Sequence, residues 1–382
     1  MGKFIFATIK WVIAFVVTLP VKHSKRFGNL MLVSERGDDA RDNGYHFFIH
    51  VKEHHPEVDV RYVITDDSPD RDRLAAYEDS LVRYMSFRHC VLFWKARYLV
   101  GTHLRAGHTP LPFVVVKWMN RVVNIYRGKK IVNLKHGIVK NFIERMMYED
   151  THYNLLVCGA APERAYFVEK YHYPDTVARY TGLCRFDKLM DFQVKRQILV
   201  MPTWRNYLDP DKLTESLFYR LYMSFLKDKR LTEMLERYDI DLIFYLHHRF
   251  QSVYETFKGG LSQRITVADQ AHYDVQQLLK DSAVMITDYS SVLFDFVYMK
   301  KPVMFFQFDK EEFLSKHYKK GYVNEEYFGP VAADVESLIE SLKKCLDGGL
   351  HLDAMYEERI NAFFPLRDTH NCDRVFDAVM HC

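Results

Sequence analysis

Proline-rich, glycine-rich and low-complexity stretches are all missing from this 382-residue chain, which holds only 12 Pro and 16 Gly. Disordered, collagen-like and linker-like readings are therefore excluded. A surplus of one charge sign is missing too. Lys and Arg number 53 against 50 Asp and Glu, a net charge of +3, so no broad nucleic-acid surface is expected and nucleic acid is not a partner. Cysteine is sparse, six residues at 90, 158, 184, 345, 372 and 382 with no CxxC pair. That spacing points to neither a zinc site nor a disulfide frame, and the thiols read as reduced, in a cytosolic setting. What is present is an ordinary globular composition, 48% hydrophobic and 27% charged, with an unusually high 15% of aromatic residues. At ~150 residues per domain the length suggests two domains.

No long uncharged apolar run occurs either. Residues 4–21 (FIFATIKWVIAFVVTLPV) come nearest, but Lys10 interrupts them. A spanning helix needs ~20 apolar residues. No small-x-small cleavage site follows; Lys22, His23, Ser24, Lys25 and Arg26 come next. Three readings fit: a helix lying in the membrane interface, a buried first helix, or a span whose basic flank keeps the remaining chain cytoplasmic. The interfacial reading accommodates Lys10 at lowest cost, so residues 1–24 are expected to be a membrane-associating helix. Residues 83–127 mix Trp94, Lys95, Arg97, Arg105, Lys117, Trp118 and Arg121 with apolar side chains. They read either as a lipid-phosphate-facing surface or as amphipathic helices with snorkelling cations.

Beyond that helix, strand-like runs at 29–34, 58–65, 98–102, 130–134 and 155–158 alternate with helix-like stretches, among them 162–171. The rhythm restarts at 197–201 and continues through 240–246, 265–267, 284–287 and 303–306, with helices at 274–280 and 290–299. Strand then helix, repeated, is the pattern of a parallel α/β sheet. Two doubly wound domains facing each other across a cleft are expected, with ligands at the carboxyl ends of the strands.

Several groups sit where such chemistry would be placed. An apolar strand ends at Thr287, Asp288 and Tyr289, and Ser290 and Ser291 then open a helix carrying Asp295 one turn in. Free N–H groups and hydroxyls at a helix start suit phosphate oxygens, and a carboxylate one turn on suits a ribose hydroxyl; a plain Ser N-cap explains the same residues. His136-Gly137 closes one strand in the first half and His247-His248 another in the second. A strand-end His is well placed as a general base, although a lone His is usually structural. Arg185, in Gly182-Leu-Cys-Arg-Phe-Asp187, and Arg205, in Pro202-Thr-Trp-Arg205, are candidates to counter pyrophosphate charge, or simply members of ion pairs. Adjacent histidines without a carboxylate partner do not make a metal site.

Together these segments resemble the CDP-glycerol glycerophosphotransferase family, which primes and polymerises teichoic acid and related poly(alditol phosphate) chains. The resemblance runs over roughly residues 125–345 and is most specific in 274–302 (DVQQLLKDSAVMITDYSSVLFDFVYMKKP). Leu134-Lys-His-Gly137, Gly182 to Asp187, Met201-Pro-Thr-Trp-Arg205 and Gly329-Pro330 match further family segments. Lys135, Val139 and His248 stand where the family often has Trp, Pro and Pro. The resemblance implies a GT-B fold, with an acceptor-side domain expected over 25–190 and a CDP-alditol-binding domain over 191–382. It implies transfer of glycerol phosphate from CDP-glycerol to a lipid-linked saccharide or a growing chain, with CMP released. His136 would then take the acceptor proton and His247 would hold the pyrophosphate. Ser290 and Ser291 would bind the phosphates, Arg185 and Asp187 would line the cytidine end, Arg205 would balance charge and Asp295 would take the ribose. Thr203, Thr287 and Asp288 complete the expected donor set. No cofactor is implied, and any Mg2+ would be auxiliary. The implied acceptor is an undecaprenyl-diphosphate-linked saccharide, met by a peripheral protein at the cytoplasmic face of the cell membrane. CDP-ribitol as donor, a GT-B glycosyltransferase or epimerase acting on a sugar nucleotide, and a non-catalytic nucleotide-binding partner are the rival readings.

Overall fold

The computed structural model describes residues 2–19, 29–103, 107–111, 115–116, 124–246, 248–316 and 321–382. His247, Arg105, Lys117, Trp118, Arg121 and the basic run 22–26 lie outside the described residues. The chain divides into two compact units: residues 1–138, 144–188 and 368–382 form the first, and 139–143 with 189–367 the second.

The first unit holds a seven-stranded sheet. Its strands are β1 (Met31–Ser34), β2 (Val60–Ile64), β3 (Leu81–Arg83), β4 (Tyr98–Gly101), β5 (Lys130–Asn133), β6 (Leu155–Cys158) and β7 (Ala178–Tyr180). They lie in the order β3-β2-β1-β4-β5-β6-β7, every neighbouring pair parallel. The second unit holds β8 (Gln197–Val200), β9 (Asp241–Tyr245), β10 (Ile265–Ala268), β11 (Val284–Thr287), β12 (Val303–Phe306) and β13 (Val331–Ala332), ordered β10-β9-β8-β11-β12-β13 and again all parallel. All-parallel strands are covered by helices on both faces, so their residues are apolar throughout rather than alternating. The MLVS of β1, the LLVC of β6 and the VMFF of β12 are buried at every position. In both sheets the strand order reverses beside the first strand, between β1 and β4 and between β8 and β11. That reversal opens a crevice at the carboxyl ends, where doubly wound folds bind ligands. Two parallel α/β sheets were expected, and two are present.

The partition differs from 25–190 and 191–382 by two residues at the boundary, which falls after 188, and by two exchanged segments. Residues 139–143 pack with the second unit, and the final segment returns to the first. The return is built from specific contacts. Asp187 Oδ1 accepts from the backbone N–H and the side-chain amide of Asn371 (2.8 and 2.7 Å), and Oδ2 accepts from Cys372 N (2.8 Å). The carboxylate thus caps the helix Asn371–Met380 from 184 residues earlier in the chain. Gly182 permits this approach: its φ is +80°, and a Cβ there would lie 1.7 Å from Asn371 Oδ1.

The helix Gly2–Thr18 lies on the first unit. Ala7, Trp11, Ala14 and Thr18 are buried at spacings of three and four. Trp11 meets Trp94 of the helix Phe87–Lys95 at 4.3 Å between ring centroids, and Trp94 Nε1 donates to Trp11 O (3.2 Å). The other face presents Phe6, Ile9, Val12, Ile13, Val16 and Val17 to solvent, Phe6 at 67% exposure. No helix among the described residues is long and apolar enough to cross a membrane.

Candidate functional site

Three strand ends of the first sheet converge at its crevice. β1 runs into Glu35, β4 into Thr102-His103 and β5 into Leu134-Lys-His136. Glu35 is buried, and its carboxylate accepts from the backbone N–H groups of Arg41 (3.1 Å), Asp42 (2.9 Å) and Tyr45 (2.9 Å). Burial and the neighbouring Asp42 push its pKa up to about 8 against those donors. The loop before His136 is pinned from both sides. Asn43 Nδ2 donates to Lys135 O (2.8 Å), and Lys135 N donates to Asn133 Oδ1 (2.8 Å). Lys135 adopts a φ of +55° and carries its ammonium inward to a buried ion pair with Glu163. An apolar Trp would form no such pair, which gives Lys135 a local purpose.

His136 reaches solvent and stacks on His103, ring centroids 4.9 Å apart and planes within 12°. Arg36 Nε donates to His103 Nε2 (3.2 Å), and Arg185 Nη1 donates to the His136 carbonyl (2.8 Å). The crowded surroundings, then His103, Arg185, Arg36 and Lys135, hold the His136 pKa down to about 3, so its ring is neutral at physiological pH. His103 is likewise lowered to about 4, by burial and Arg36. A neutral, reachable imidazole among cations can accept a proton beside an anionic substrate.

In the second unit the matching crevice lies at the ends of β8 and β11. Thr287 Oγ1 donates to Met201 O (2.7 Å) and staples the two strand ends together. Asp288 is fully buried: Oδ1 accepts from Thr203 N (2.8 Å) and Tyr289 N (2.5 Å), and Oδ2 from Arg205 Nη1 (2.5 Å). Arg205 is itself fully buried and makes a bidentate pair with Asp309 through Nε (2.9 Å) and Nη2 (3.0 Å). Tyr289 and Tyr207 hydroxyls donate to Asp309 as well (3.0 and 3.2 Å). Burial alone would push the guanidinium toward neutrality; Asp288 and Asp309 reverse that and hold it charged. Above this platform Thr203 Oγ1 is buried without a hydrogen-bond partner among the described residues. Ser290 and Ser291 are half-buried in the turn, and Ser290 Oγ accepts a long 3.4 Å contact from Val292 N.

The expected residues therefore separate into groups. Thr203, Ser290 and Ser291 offer hydroxyls at the carboxyl end of the second sheet. Thr287, Asp288 and Arg205 build the platform beneath them, and Arg205 is expected to balance donor charge but is instead enclosed by two carboxylates. Asp295 lies on the same turn, in the helix Leu293–Tyr298, and is 5% exposed. That helix has six residues and starts two positions after Ser291, later than the serine-opened helix expected at 290–299. Arg185 and Asp187 belong to the first unit: Arg185 pairs with Asp42 (2.8 Å) and the His136 carbonyl, and Asp187 caps the terminal helix. His247 lies outside the described residues. Sequence reasoning passed over Glu35, His103 and Asp309. His103 carries the same signal as His136, a histidine directly after a strand. Glu35 and Asp309 carry none that separates them from surface acids.

Among the described residues no group of three or more His, Cys, Asp or Glu side chains is placed to hold a metal ion. Residues 15–381 match the family described as CDP-Glycerol:Poly(glycerophosphate) glycerophosphotransferase. The chain belongs to this family. Relatives of the glycerophosphotransferase family include the minor teichoic acid biosynthesis protein GgaB of Bacillus subtilis (strain 168), 28% identical over 365 residues, which cover 91% of this chain and 39% of GgaB. The teichoic acid poly(glycerol phosphate) polymerase of Staphylococcus epidermidis is 29% identical over 172 residues, 44% of this chain and 22% of that protein. This chain thus spans well under half the length of these relatives. The wall teichoic acid polymerase TagF has the same fold, with a TM-score of 0.65 at 16% identity over 100% of this chain and 98% of that one. A Listeria monocytogenes protein described as "putative UDP-N-acetylglucosamine 2-epimerase" also shares it, with a TM-score of 0.61 at 16% identity over 92% and 96%. The GT-B architecture expected of the family is thereby established.

Proposed function

We propose that this chain transfers glycerol phosphate from CDP-glycerol to a hydroxyl of a lipid-linked saccharide or a growing poly(glycerol phosphate) chain. The acceptor oxygen attacks the phosphorus that bears glycerol. The bond from that phosphorus to the oxygen bridging to CMP breaks, CMP leaves, and the acceptor proton passes to Nε2 or Nδ1 of His136. In-line geometry and neutralised phosphate oxygens are the main demands of such a step. Thr203, Ser290 and Ser291 would meet the donor phosphates, and His247 would hold the pyrophosphate as CMP departs. Asp295 would reach the ribose after a local rearrangement, and Arg185, with its carboxylate partner Asp42, would order the His136 loop. The reaction is written without a cofactor, Mg2+ serving at most as an auxiliary to the diphosphate.

The observation that carries this reading is the buried Thr203 hydroxyl, unpartnered among the described residues, at the strand-order reversal of a chain in this family. A buried hydroxyl without a partner costs about 1–3 kcal/mol, a cost that a phosphate oxygen would remove. The test is CMP release from CDP-glycerol, with CDP-ribitol and UDP-sugars in parallel and a lipid-linked disaccharide as acceptor. Acceptor-dependent CMP from CDP-glycerol is expected, with about a tenfold weaker donor KM in Thr203→Val. CMP from CDP-ribitol alone would change the alditol. Turnover of a UDP-sugar alone would favour the second reading, which the epimerase-like fold keeps open.

Membrane docking is part of the same proposal. The exposed side chains Phe6, Ile9, Val12, Ile13, Val16 and Val17 form one apolar face on a helix whose opposite face is already anchored, and a basic run follows at 22–26. Such a face suits the headgroup–acyl boundary of an anionic bilayer at the cytoplasmic side, where an undecaprenyl-linked acceptor would be found. Because these positions are exposed, Ile9→Asp/Ile13→Asp should leave folding intact. Binding to phosphatidylglycerol vesicles should fall about tenfold by co-sedimentation, and an unchanged bound fraction would refute the docking.

A further inference from the structure

His136 is followed after only two residues by a strap, 139–143, that packs as part of the second unit. Two independent contacts hold that strap. Lys140 Nζ donates to Glu325 Oε1 at 2.7 Å, with side-chain exposures of 4% and 11%. Gly321 lies so close to the strap that a Cβ there would sit 1.9 Å from Lys140 O and 2.8 Å from Asn141 Cα. The ion pair continues inward. Gln307 lies beside Glu325 and, through Nε2, donates to the Asp288 carbonyl (3.0 Å). Asp288 opens the turn that carries Ser290 and Ser291. Lys140, Glu325 and Gln307 thus form a row of polar side chains that ends at the phosphate-side turn. Beside it is a cavity of about 170 Å³ lined by Lys140, Asn141, Tyr289, Lys310, Asn324 and Glu325.

A buried ion pair is weak evidence for stability, because desolvation offsets its attraction. What it does supply is a fixed position. Four residues span at most about 14 Å, so clamping Lys140 also restricts where His136 can go.

We propose that Lys140, held by Glu325, is a positioning residue that fixes the strap following His136 against the Asp288–Ser291 turn. This inference rests on the transferase reading above, with His136 as the base. Lys140 touches no reacting atom in this scheme; it limits the freedom of the loop that does.

The test uses the full chain and Lys140→Met/Glu325→Gln, which removes the tie without leaving a buried charge. Gly321→Ala, which displaces the strap sterically, is the second variant. Hydrogen exchange of the peptide spanning 134–143 should speed up about tenfold or more in both variants. Turnover of CMP release should fall about 10- to 100-fold, while the Kd for CDP-glycerol stays within about twofold, and the exchanged pair Lys140→Glu/Glu325→Lys should recover part of the turnover. Unchanged exchange in 134–143 overturns the proposal. Faster exchange with normal turnover overturns it too, and so does an equal loss of turnover and donor affinity, which marks a merely structural pair. A wild-type chain inert towards every CDP-alditol would overturn the transferase reading and the catalytic claim with it. The exchange response would still report whether Lys140 holds the strap, so the two failures are distinguishable.

Discussion

Arg205→Met should abolish the cooperative unfolding transition of the second unit near 37 °C, rather than merely weaken donor binding. The guanidinium is fully buried, donates to Asp288, Asp309 and the Thr203 carbonyl, and lies 5.0–5.1 Å from the rings of Phe218, Tyr289 and Phe313. Methionine preserves much of the volume but leaves two carboxylates without a cation. Breaking one such buried pair costs about 3–5 kcal/mol, and a whole domain is stable by only about 5–15 kcal/mol. Arg205→Lys should recover little, because a single ammonium cannot bridge two carboxylates as a planar fork does. Adding Asp288→Asn and Asp309→Asn to Arg205→Met should restore part of the lost stability, since no charge is then stranded. Calorimetry on the soluble fraction separates this from a donor-binding role. If Arg205→Met melted normally and lost only affinity for CDP-glycerol, the platform reading would be wrong.

His136→Ala should do the opposite: activity falls and stability does not. The ring reaches solvent and stacks on His103, so truncation leaves no cavity in the core. Removing a general base usually costs about 10²- to 10⁴-fold. That loss should appear in kcat for CMP release, with the donor Kd unchanged. The pH profile adds a sharper check. The His136 pKa is lowered to about 3, so the free protein holds the basic form at every pH above that value. The acid limb of kcat/KM should therefore lie well below the 6.5 of an ordinary imidazole. An acid limb at 6.5 that vanished in His136→Ala would show instead that the surrounding cations do not control the base. For stability the sign is the same: a lowered folded pKa means that protons favour the unfolded chain, so this group's contribution is lost as pH falls from about 6.5 towards 3.

The fold was legible wherever a strand is central. Ten strand candidates came from apolar runs, and each has a counterpart in one of the two sheets. The three strands that were missed, β3, β7 and β13, all lie at sheet edges and contain three, three and two residues. Short edge strands carry neither a long apolar run nor an alternation, so nothing in their sequence sets them apart from loop. The site was legible by position but not by burial. Pro202-Thr-Trp-Arg205 announced a functional strand end, yet the fate of Arg205 depends on Asp309, 104 residues away. Asp187 read as a ligand-facing acid because its partners at 371 and 372 lie 184 and 185 residues further on. Pairings at that separation have no local signature. His103 was recoverable, since the strand-end rule that singled out His136 applies to β4 equally.

The return of residues 368–382 to the first unit has a consequence for synthesis on the ribosome. Everything the second unit needs has been made once residue 367 is out, whereas the first unit still lacks the helix that Asp187 caps. Domains commonly fold in the order in which they emerge. Here the unit begun first is the one completed last, and until then its Asp187, Gly182 and Cys184 surface stands uncovered. A chain stalled or clipped just after residue 367 would carry a finished second unit and an open first one.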